Sequence, residues 1–228
     1  MECCGKQIWT NLTKETLGRL MIGRPDEVIR GAVKANWDAI AKPLDGMGRF
    51  EEMTAQIGAI TGDERLDLSE KAVLIFCADN GIVAEGVSQA GQEVTLAVAK
   101  SMAKNASSVG RMARFAGADT IPVDIGINSD LTIDGVLDKK IAHGTRDFLI
   151  EPAMSEEETL GAIETGIALV AECKDKGYRI LATGEMGIGN TTTSSAVAAA
   201  LLGCKSALVV GRGAGLSDRG LARKREVV

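Results

Sequence analysis

Apolar runs and stretches of helical spacing alternate along this chain. Ala72–Cys77 is a continuous apolar run, which is typical of a buried parallel strand. Pro25 opens a segment whose apolar residues recur at helical spacing, and the acids after it suit the first turn of a helix. The same criteria predict helices over 49–60, 93–117, 155–176 and 196–202 and after Ser217, and strands over 119–124, 136–141, 178–182 and 206–210. This order predicts an α/β fold with a doubly wound, mainly parallel sheet flanked by helices.

Three details of the pattern give sharper expectations. Phe50, Met53, Ile57 and Ile60 fall on one face of the second predicted helix. Residues 105–110 are a softer stretch at which the long helix over 93–117 bends or breaks. Pro122 cannot donate a backbone hydrogen bond, so it indicates an edge or an end of strand pairing.

A glycine-rich stretch, TGEMGIGNTTTSS over 183–195, separates a predicted strand from a predicted helix. Glycines allow positive φ and close approach to the backbone, and Asn190 and the threonines after it offer N-cap oxygens and hydroxyl donors. The N-terminus of a helix favours an anion such as a phosphate. Glu185 repels a phosphate, so it is better suited to face sugar hydroxyls or a cationic ring. Two interpretations stay open: an anion-binding loop, and a tight turn with no ligand.

Other candidate residues follow two further predicted strands. Gly211–Gly215 is a second glycine-rich loop, and we expect it to lie beside the first at the carboxyl edge of the sheet. Asp79 follows the strand over 72–77 and is either a turn former beside Asn80-Gly81 or a residue at the rim of a ligand crevice. Lys224 lies on the last predicted helix, where basic residues are usually solvated.

Composition removes several classes of function. The net charge of −5 gives no electrostatic case for binding nucleic acid or an acidic membrane. Aromatic residues are only 3% of the 228, too few for a base-stacking platform. No apolar signal core or long apolar run is present, so we expect a cytoplasmic protein. The five cysteines are scattered and odd in number, which indicates reduced thiols, with Cys77 and Cys204 as small buried hydrophobes. A metal role for the adjacent Cys3 and Cys4 is improbable because the sole histidine, His143, is far away in sequence.

Four stretches in order resemble one enzyme family. The segment GEMGIGNTTT within 184–193 is similar to a signature of the nicotinate-nucleotide–dimethylbenzimidazole phosphoribosyltransferases, which make the lower-ligand nucleotide of cobalamin. Residues 42–51, 77–87 and 211–216 also resemble that family. The resemblance implies a small N-terminal helical subdomain, here residues 1–62, and a Rossmann-like core over 63–228 that is incomplete at its C-terminus.

The resemblance also implies a reaction and a set of site residues. The family transfers 5-phosphoribosyl from nicotinate mononucleotide to a benzimidazole-type base and uses no metal or other cofactor. Glu185 resembles a carboxylate that assists this chemistry. Residues that resemble the family's phosphate and ribose contacts are Gly187, Gly189, Asn190, Thr191, Gly211, Gly213 and Lys224. Those that resemble its base contacts are Asp79, Ser88, Ala90, Gly91, Val98 and Met186.

The chain also departs from the family pattern. Full-length members are longer, form homodimers and carry a catalytic glutamate near the far C-terminus, for which no residue here is a counterpart. We therefore expect weak or absent turnover unless a second chain supplies the remainder. Ala90, Gly91 and Val98 are smaller or less polar than in many relatives, which leaves the preferred base open. Rival hypotheses are a nucleotide-binding fragment without turnover, an unrelated sugar-phosphate enzyme of the same architecture, and an interaction protein.

Overall fold

A computed structural model describes residues 11–228. The chain divides into two compact units. The smaller comprises Lys14–Ser69, and the larger comprises Glu70–Val228 together with residues 11–13. Cys3 and Cys4 lie outside the described residues, so the structure says nothing about that pair. Within residues 11–228, no helix combines the length and the apolar character that a membrane crossing needs.

The smaller unit contains three helices. They are α1 (Lys14–Gly18), α2 (Glu27–Asp38) and α3 (Arg49–Thr61). Helix α2 begins where the sequence predicts, and its N-cap is Asp26, whose side chain accepts hydrogen bonds from the amides of Val28 and Ile29. Helix α3 ends at Gly62, which adopts the left-handed conformation that favours glycine.

The apolar stripe predicted for α3 is not its buried face. Phe50, Met53 and Ile60 are at least half exposed, and the side of α3 that carries Ala55, Gly58 and Ala59 is buried instead. Close packing explains this choice, because a Cβ on Gly58 would lie only 2.6 Å from a methyl group of Val33 on α2. The two helices thus pack through small residues rather than through the large apolar ones.

A cluster of charged side chains lies in the loop between α2 and α3 and beside it. Asp38, Asp45 and Glu51 are the only carboxylates among residues 11–228 whose oxygens are close enough together to hold a metal ion. Lys34 Nζ lies 2.6 Å from Asp45 Oδ1, and Lys42 Nζ lies 2.7 Å from Glu51 Oε1. Hydrogen bonds from these lysines lower the pKa of Asp45 and of Glu51. Ammonium groups therefore supply the positive charge next to these carboxylates.

The larger unit is built on a four-stranded parallel sheet. Its strands are β1 (Lys71–Ala78), β2 (Asp119–Gly126), β3 (Leu137–Asp138) and β4 (Ile180–Met186), in the spatial order β3-β2-β1-β4. Each neighbouring pair is parallel. Pro122 lies on an interior strand, next to Val123, where the short pairing with β3 begins. The proline therefore marks an end of pairing, as one of the two predictions stated.

Helices cover both faces of this sheet, which confirms the doubly wound class. The helices of this unit are α4 (Glu93–Ala103), α5 (Ser108–Phe115), α6 (Glu156–Asp175), α7 (Asn190–Leu202) and α8 (Asp218–Val227), of which α4 packs on one face of the sheet and α6 on the other. One core cluster joins Leu74 and Val123 to Leu169 and Cys173 of α6. The other joins Ile75, Cys77 and Ile127 to Ala99 and Met102 of α4. The long predicted helix breaks near residues 105–110, as expected: α4 ends with Lys104 as its C-cap, and α5 begins with Ser107 as its N-cap.

Two predictions in this unit are wrong. Residues 206–210 are not a strand: Ser206–Leu208 is a single 3-10 turn, and the amides of Val209 and Val210 donate to the carbonyl of Ser206. These local bonds use the donors that a sheet ladder needs, and Leu208 stays 78% exposed. Cys77 is fully buried as expected, but Cys204 is only partly buried. Burial raises the pKa of the Cys77 thiol to about 12, which makes it unreactive.

Replacing Glu158 by glutamine is expected to lower the free energy of unfolding at neutral pH but not at very low pH. Arg146 donates to both carboxylate oxygens of Glu158, at 3.0 and 2.6 Å, and holds its pKa at about 2. Because this pKa is lower in the folded state, the ion pair stabilises the folded state fully above pH 4.5, the ordinary pKa. This stabilisation is lost as the pH falls to about 2. Urea unfolding at several pH values from 6 to 2 measures this.

The matched control is Glu157→Gln, which removes the same charge from an exposed position on α6. We expect the difference between wild type and Glu158→Gln to shrink from about pH 5 downward, and the Glu157→Gln difference to stay small. A Glu158→Gln deficit that is constant from pH 6 to 2 contradicts the role of the ion pair.

Candidate nucleotide-binding site

The carboxyl ends of the parallel strands meet at one edge of the sheet. There the chain passes from β1 into Asp79 and Asn80, from β2 into Asn128, and from β4 into Gly187. The chain leaves β1 for β2 on one side and then β3, and it crosses to the other side of β1 only to form β4. Such a switch point leaves a crevice between two loops, which is where open α/β sheets bind ligands.

Strand β4 is longer than the sequence indicates, and helix α7 begins earlier. The strand continues to Met186, which places Glu185 on the strand and shortens the loop to Gly187–Gly189. Asn190 is the first residue of α7, and Gly189 is its N-cap with φ 92°. The N-cap is therefore a glycine and not one of the polar residues that the sequence predicts. Gly189 is also the residue of this loop with a positive φ.

Gly187 is required for a reason other than its dihedral angles. A Cβ at this position would lie 2.1 Å from the carbonyl oxygen of Ala78 and 3.0 Å from Asn80 Nδ2. A Cβ on Gly189 would lie 2.8 Å from a methyl group of Val83. The loop after β4 thus packs backbone to backbone against the end of β1, as only glycine allows.

Asn80 joins the loop after β1 to the loop after β4. Its Nδ2 donates to the carbonyl of Ile188 at 3.1 Å, and its Oδ1 accepts from Thr193 Oγ1 at 3.0 Å. Its own carbonyl accepts from Gln92 Nε2 at 3.2 Å. The side chain of Gln92 also accepts from Asn128 Nδ2 at 3.3 Å, which extends the network to the end of β2. One polar network therefore fixes the three loops that surround the crevice.

Lys224 of α8 is buried beside the two glycine-rich loops. Its side chain is in the interior, with 1% of the residue exposed, and Nζ donates to Thr191 Oγ1 at 2.6 Å. A Cβ on Gly213 would lie 2.7 Å from that hydroxyl and 3.4 Å from Nζ, and Gly213 has φ 56°. The second glycine-rich loop therefore lies against the first at this point, although it follows a 3-10 turn rather than a strand.

The charge of Lys224 has no carboxylate to balance it. Within residues 11–228, no Asp or Glu oxygen lies within ion-pair distance of Nζ. Burial lowers the pKa of Lys224 from its ordinary value. A cavity of about 50 Å³ is lined by Lys224, by 87–89, by 188–191 and by 212–214. A buried ammonium without an acidic partner favours the arrival of an anion.

Glu185 is exposed and is held by the first residue of α7. Its Oε1 accepts from Asn190 Nδ2 at 2.5 Å, and Asn190 Oδ1 accepts from the amide of Thr191 at 2.7 Å. Asn190 thus orients the carboxylate and closes the first turn of the helix. These contacts hold one carboxylate beside Asn190, which lines the same cavity as Lys224.

The residues predicted to contact the base fall in different environments. Ser88 lines the cavity that contains Lys224, and its Oγ accepts from the amide of Ala90 at 3.3 Å. Asp79 is 1% exposed, and its Oδ2 accepts from the amide of Asn128 at 2.9 Å, so it anchors the loop after β2. Val98 and Met186 are partly buried together against the core cluster of Ile75 and Cys77. Gly91 precedes α4, with Ala90 beside it.

Sequence reasoning missed the residues that connect these loops. Asn80 and Thr193 stood inside recognised stretches but were interpreted as a turn residue and a generic hydroxyl donor. Gln92 and Asn128 carried no signal, because their role depends on which strand ends meet. At Gly211, in the second glycine-rich loop, a Cβ would meet nothing within 4 Å.

The sequence and the fold match one family. The sequence profile of a family described as phosphoribosyltransferase matches residues 22–228. The crystal structure of CobT from Thermus thermophilus superposes with a TM-score of 0.83 at 34% identity, over 88% of this chain and 60% of that one. The chain therefore belongs to the family of nicotinate-nucleotide–dimethylbenzimidazole phosphoribosyltransferases.

Two individual relatives are themselves called nicotinate-nucleotide–dimethylbenzimidazole phosphoribosyltransferase. The protein of this name from Clostridium perfringens (strain ATCC 13124) is 43% identical over 191 residues, which is 84% of this chain and 53% of the relative. The one from Roseiflexus sp. (strain RS-1) is 42% identical over 219 residues, which is 96% of this chain and 62% of the relative. The chain thus spans between half and two thirds of the length of these relatives.

Proposed function

We propose that this chain binds nicotinate mononucleotide and a benzimidazole-type base and transfers 5-phosphoribosyl between them. The products are nicotinate and alpha-ribazole 5'-phosphate, as in assembly of the cobalamin nucleotide loop. The single observation that carries the proposal is the buried Lys224, which has a hydroxyl at 2.6 Å but no carboxylate partner within the described chain. A phosphate monoester supplies the missing negative charge and accepts hydrogen bonds from the same ammonium.

In this proposal the site divides into a phosphate side and a base side. Lys224, Thr191 and the backbone at Gly213 hold the phosphate, and the glycines at 187, 189 and 211, with Asn190, shape the ribose site. Ser88, Ala90, Gly91, Val98, Met186 and Asp79 form or support the base side.

The reaction exchanges one bond at the anomeric carbon for another. The bond from C1 of the ribose to the nicotinate nitrogen breaks, and nicotinate leaves with the electron pair. The unprotonated ring nitrogen of the incoming base forms the new bond to C1 from the opposite face, and the proton on its other ring nitrogen passes to water. Positive charge develops on the sugar during this exchange, and Glu185 is the carboxylate that stabilises it. Fixing the phosphate at Lys224 holds C1 in place for the attack.

The test combines binding with turnover for the full 228-residue chain. Nicotinate mononucleotide is expected to raise the melting temperature in a concentration-dependent way, because it binds the folded state. Mass spectrometry then follows free nicotinate and the riboside phosphate after dimethylbenzimidazole is added. Product formation supports transfer by these residues. Stabilisation without product favours the second candidate, a nucleotide-binding fragment, and absence of both signals contradicts the proposal.

Membership of the family also suggests an oligomeric state, a location in the cell and a class of partner. We propose that the full-length form is a homodimer located in the cytoplasm, with no nucleic-acid or membrane partner.

A further inference from the structure

Arg223 makes two contacts with Glu85, in the segment that follows β1. Its Nε donates to the carbonyl of Glu85 at 3.1 Å, and its Nη2 pairs with the carboxylate of the same residue. The Glu85 side chain is only 20% exposed and that of Arg223 is 41% exposed, so the pair is partly shielded from water. Charge-assisted contacts of a planar guanidinium fix orientation as well as distance.

The position of Arg223 in the sequence connects this pair to the candidate phosphate site. Arg223 and Lys224 are consecutive on α8, and consecutive helical side chains point about 100° apart. One side chain therefore contacts the loop after β1 while the next enters the interior toward Thr191. A shift or rotation of α8 at Arg223 moves Lys224 Nζ with it.

Other contacts show that the same two segments form one side of the cavity. Gln89, four residues after Glu85, donates from Nε2 to the carbonyl of Gly215 at 2.5 Å. Val227, one turn after Arg223, packs in a small cluster with Ile82 and Val87. Residues 87–89 and Lys224 line the same cavity. The apolar cluster holds the end of α8 in place, and the ion pair sets the position of its middle turn.

We infer that Arg223, acting through Glu85, is a positioning residue that aligns Lys224 with the phosphate and the segment around Ser88 with the base. This inference rests on the proposed function. It assigns a role to a residue that itself does not line the cavity containing Lys224. It also links the two sides of the site, because one ion pair joins the helix of the phosphate side to the loop of the base side.

The test measures the dissociation constant of nicotinate mononucleotide for wild type, Arg223→Gln, Glu85→Gln and the double variant. Each single variant is expected to bind about tenfold more weakly, because the ammonium and its Thr191 partner lose alignment. The double variant is expected to bind no more weakly than the weaker-binding single variant, because both substitutions break the same Arg223–Glu85 ion pair. Arg223→Lys keeps a cation for Glu85 but loses the planar guanidinium, so it is expected to recover only part of the affinity.

The matched control is Arg219→Gln, which removes the same charge from an exposed position one turn earlier on α8. Its affinity is expected to stay within about twofold of wild type, at low salt where charge effects are largest. Melting temperatures of the ligand-free variants separate loss of alignment from loss of fold, because the measurements are made well below each transition.

The outcomes separate this inference from the proposed function. Wild type that binds the nucleotide while Arg223→Gln and Glu85→Gln bind equally well overturns the inference and leaves the proposed function standing. Additive losses in the double variant, or no recovery with Arg223→Lys, also overturn it. Wild type that fails to bind the nucleotide overturns both.

Discussion

Replacing Lys224 by methionine is expected to weaken binding of nicotinate mononucleotide by about 100-fold or more without lowering the stability of the protein. The affinity falls because the phosphate loses Lys224, the only buried cation among residues 11–228. The fold does not weaken, because the wild-type chain buries an ammonium without a carboxylate, and methionine fills a similar volume without that cost. Calorimetric titration measures the affinity, and urea unfolding measures the stability.

Lys205→Met is the matched control, because it removes the same charge from an exposed site in the same unit. Its affinity is expected to stay within about twofold of wild type. A Lys224→Met protein that binds the nucleotide as wild type does removes the lysine from the site. One that fails to bind but is also strongly destabilised shows that the lysine is structural instead.

The lowered pKa of Lys224 adds a dependence on pH to the same experiment. Burial depresses this pKa below the ordinary 10.5, and the lysine contributes to phosphate binding only while it is protonated. Affinity is therefore expected to fall as the pH rises toward the lowered pKa, in a range where the phosphate charge is already constant. The free energy of unfolding changes with pH in the opposite direction. Because the unfolded chain binds the Lys224 proton more tightly, the contribution of Lys224 to this free energy rises with pH between the lowered pKa and 10.5.

Replacing Gly187 by alanine is expected to lower the free energy of unfolding by about 2–4 kcal/mol and to abolish nucleotide binding. The added Cβ would lie 2.1 Å from the carbonyl oxygen of Ala78, and a backbone atom of a central strand cannot move away easily. The loop must therefore leave its place against β1, and its contact with Asn80 is lost. Urea unfolding and calorimetric titration measure the two effects.

Gly166→Ala provides a control of opposite sign. Gly166 lies within α6, and a Cβ there meets nothing within 4 Å. Because alanine is the better helix former, this variant is expected to gain about 0.5–1 kcal/mol and to bind the nucleotide normally. A Gly187→Ala protein with wild-type stability and affinity contradicts the close approach of the loop to β1.

Most of the fold could be predicted from the sequence because its signals are local. The buried strand at 72–77 is a continuous apolar run, and the helix after Ser155 announces itself by a capping box that the structure contains. The failures have tertiary causes. Helix α3 buries Gly58 and Ala59 rather than its large residues, because closeness to α2 decides the face. Residues 206–210 are apolar enough for a strand, yet turn bonds to Ser206 use their donors.

The sequence could predict the glycine-rich loops of the candidate site. It could not predict the contacts that join these loops to distant parts of the chain. Glycine density between a strand and a helix indicates a ligand loop, but the reason for Gly187 is the carbonyl of Ala78, more than 100 residues earlier. The burial of Lys224 and its lack of an acidic partner cannot be derived from a helix that contains several basic residues. Arg223 looks like ordinary surface charge in the sequence. Its partner Glu85 lies 138 residues away, so only the fold brings the two together.

The placement of β1 between β2 and β4 affects how the protein folds during synthesis. Asn80 at the end of β1 and Ile188 after β4 are separated by 108 residues, so one edge of β1 has no strand beside it until much later. At about 5–20 residues per second, that edge waits roughly 5–20 seconds on the ribosome. Pairing over such a separation is also slow to nucleate. The crevice between the two loops therefore forms with one of the last long-range pairings. Nucleotide binding then indicates that β4 has paired with β1.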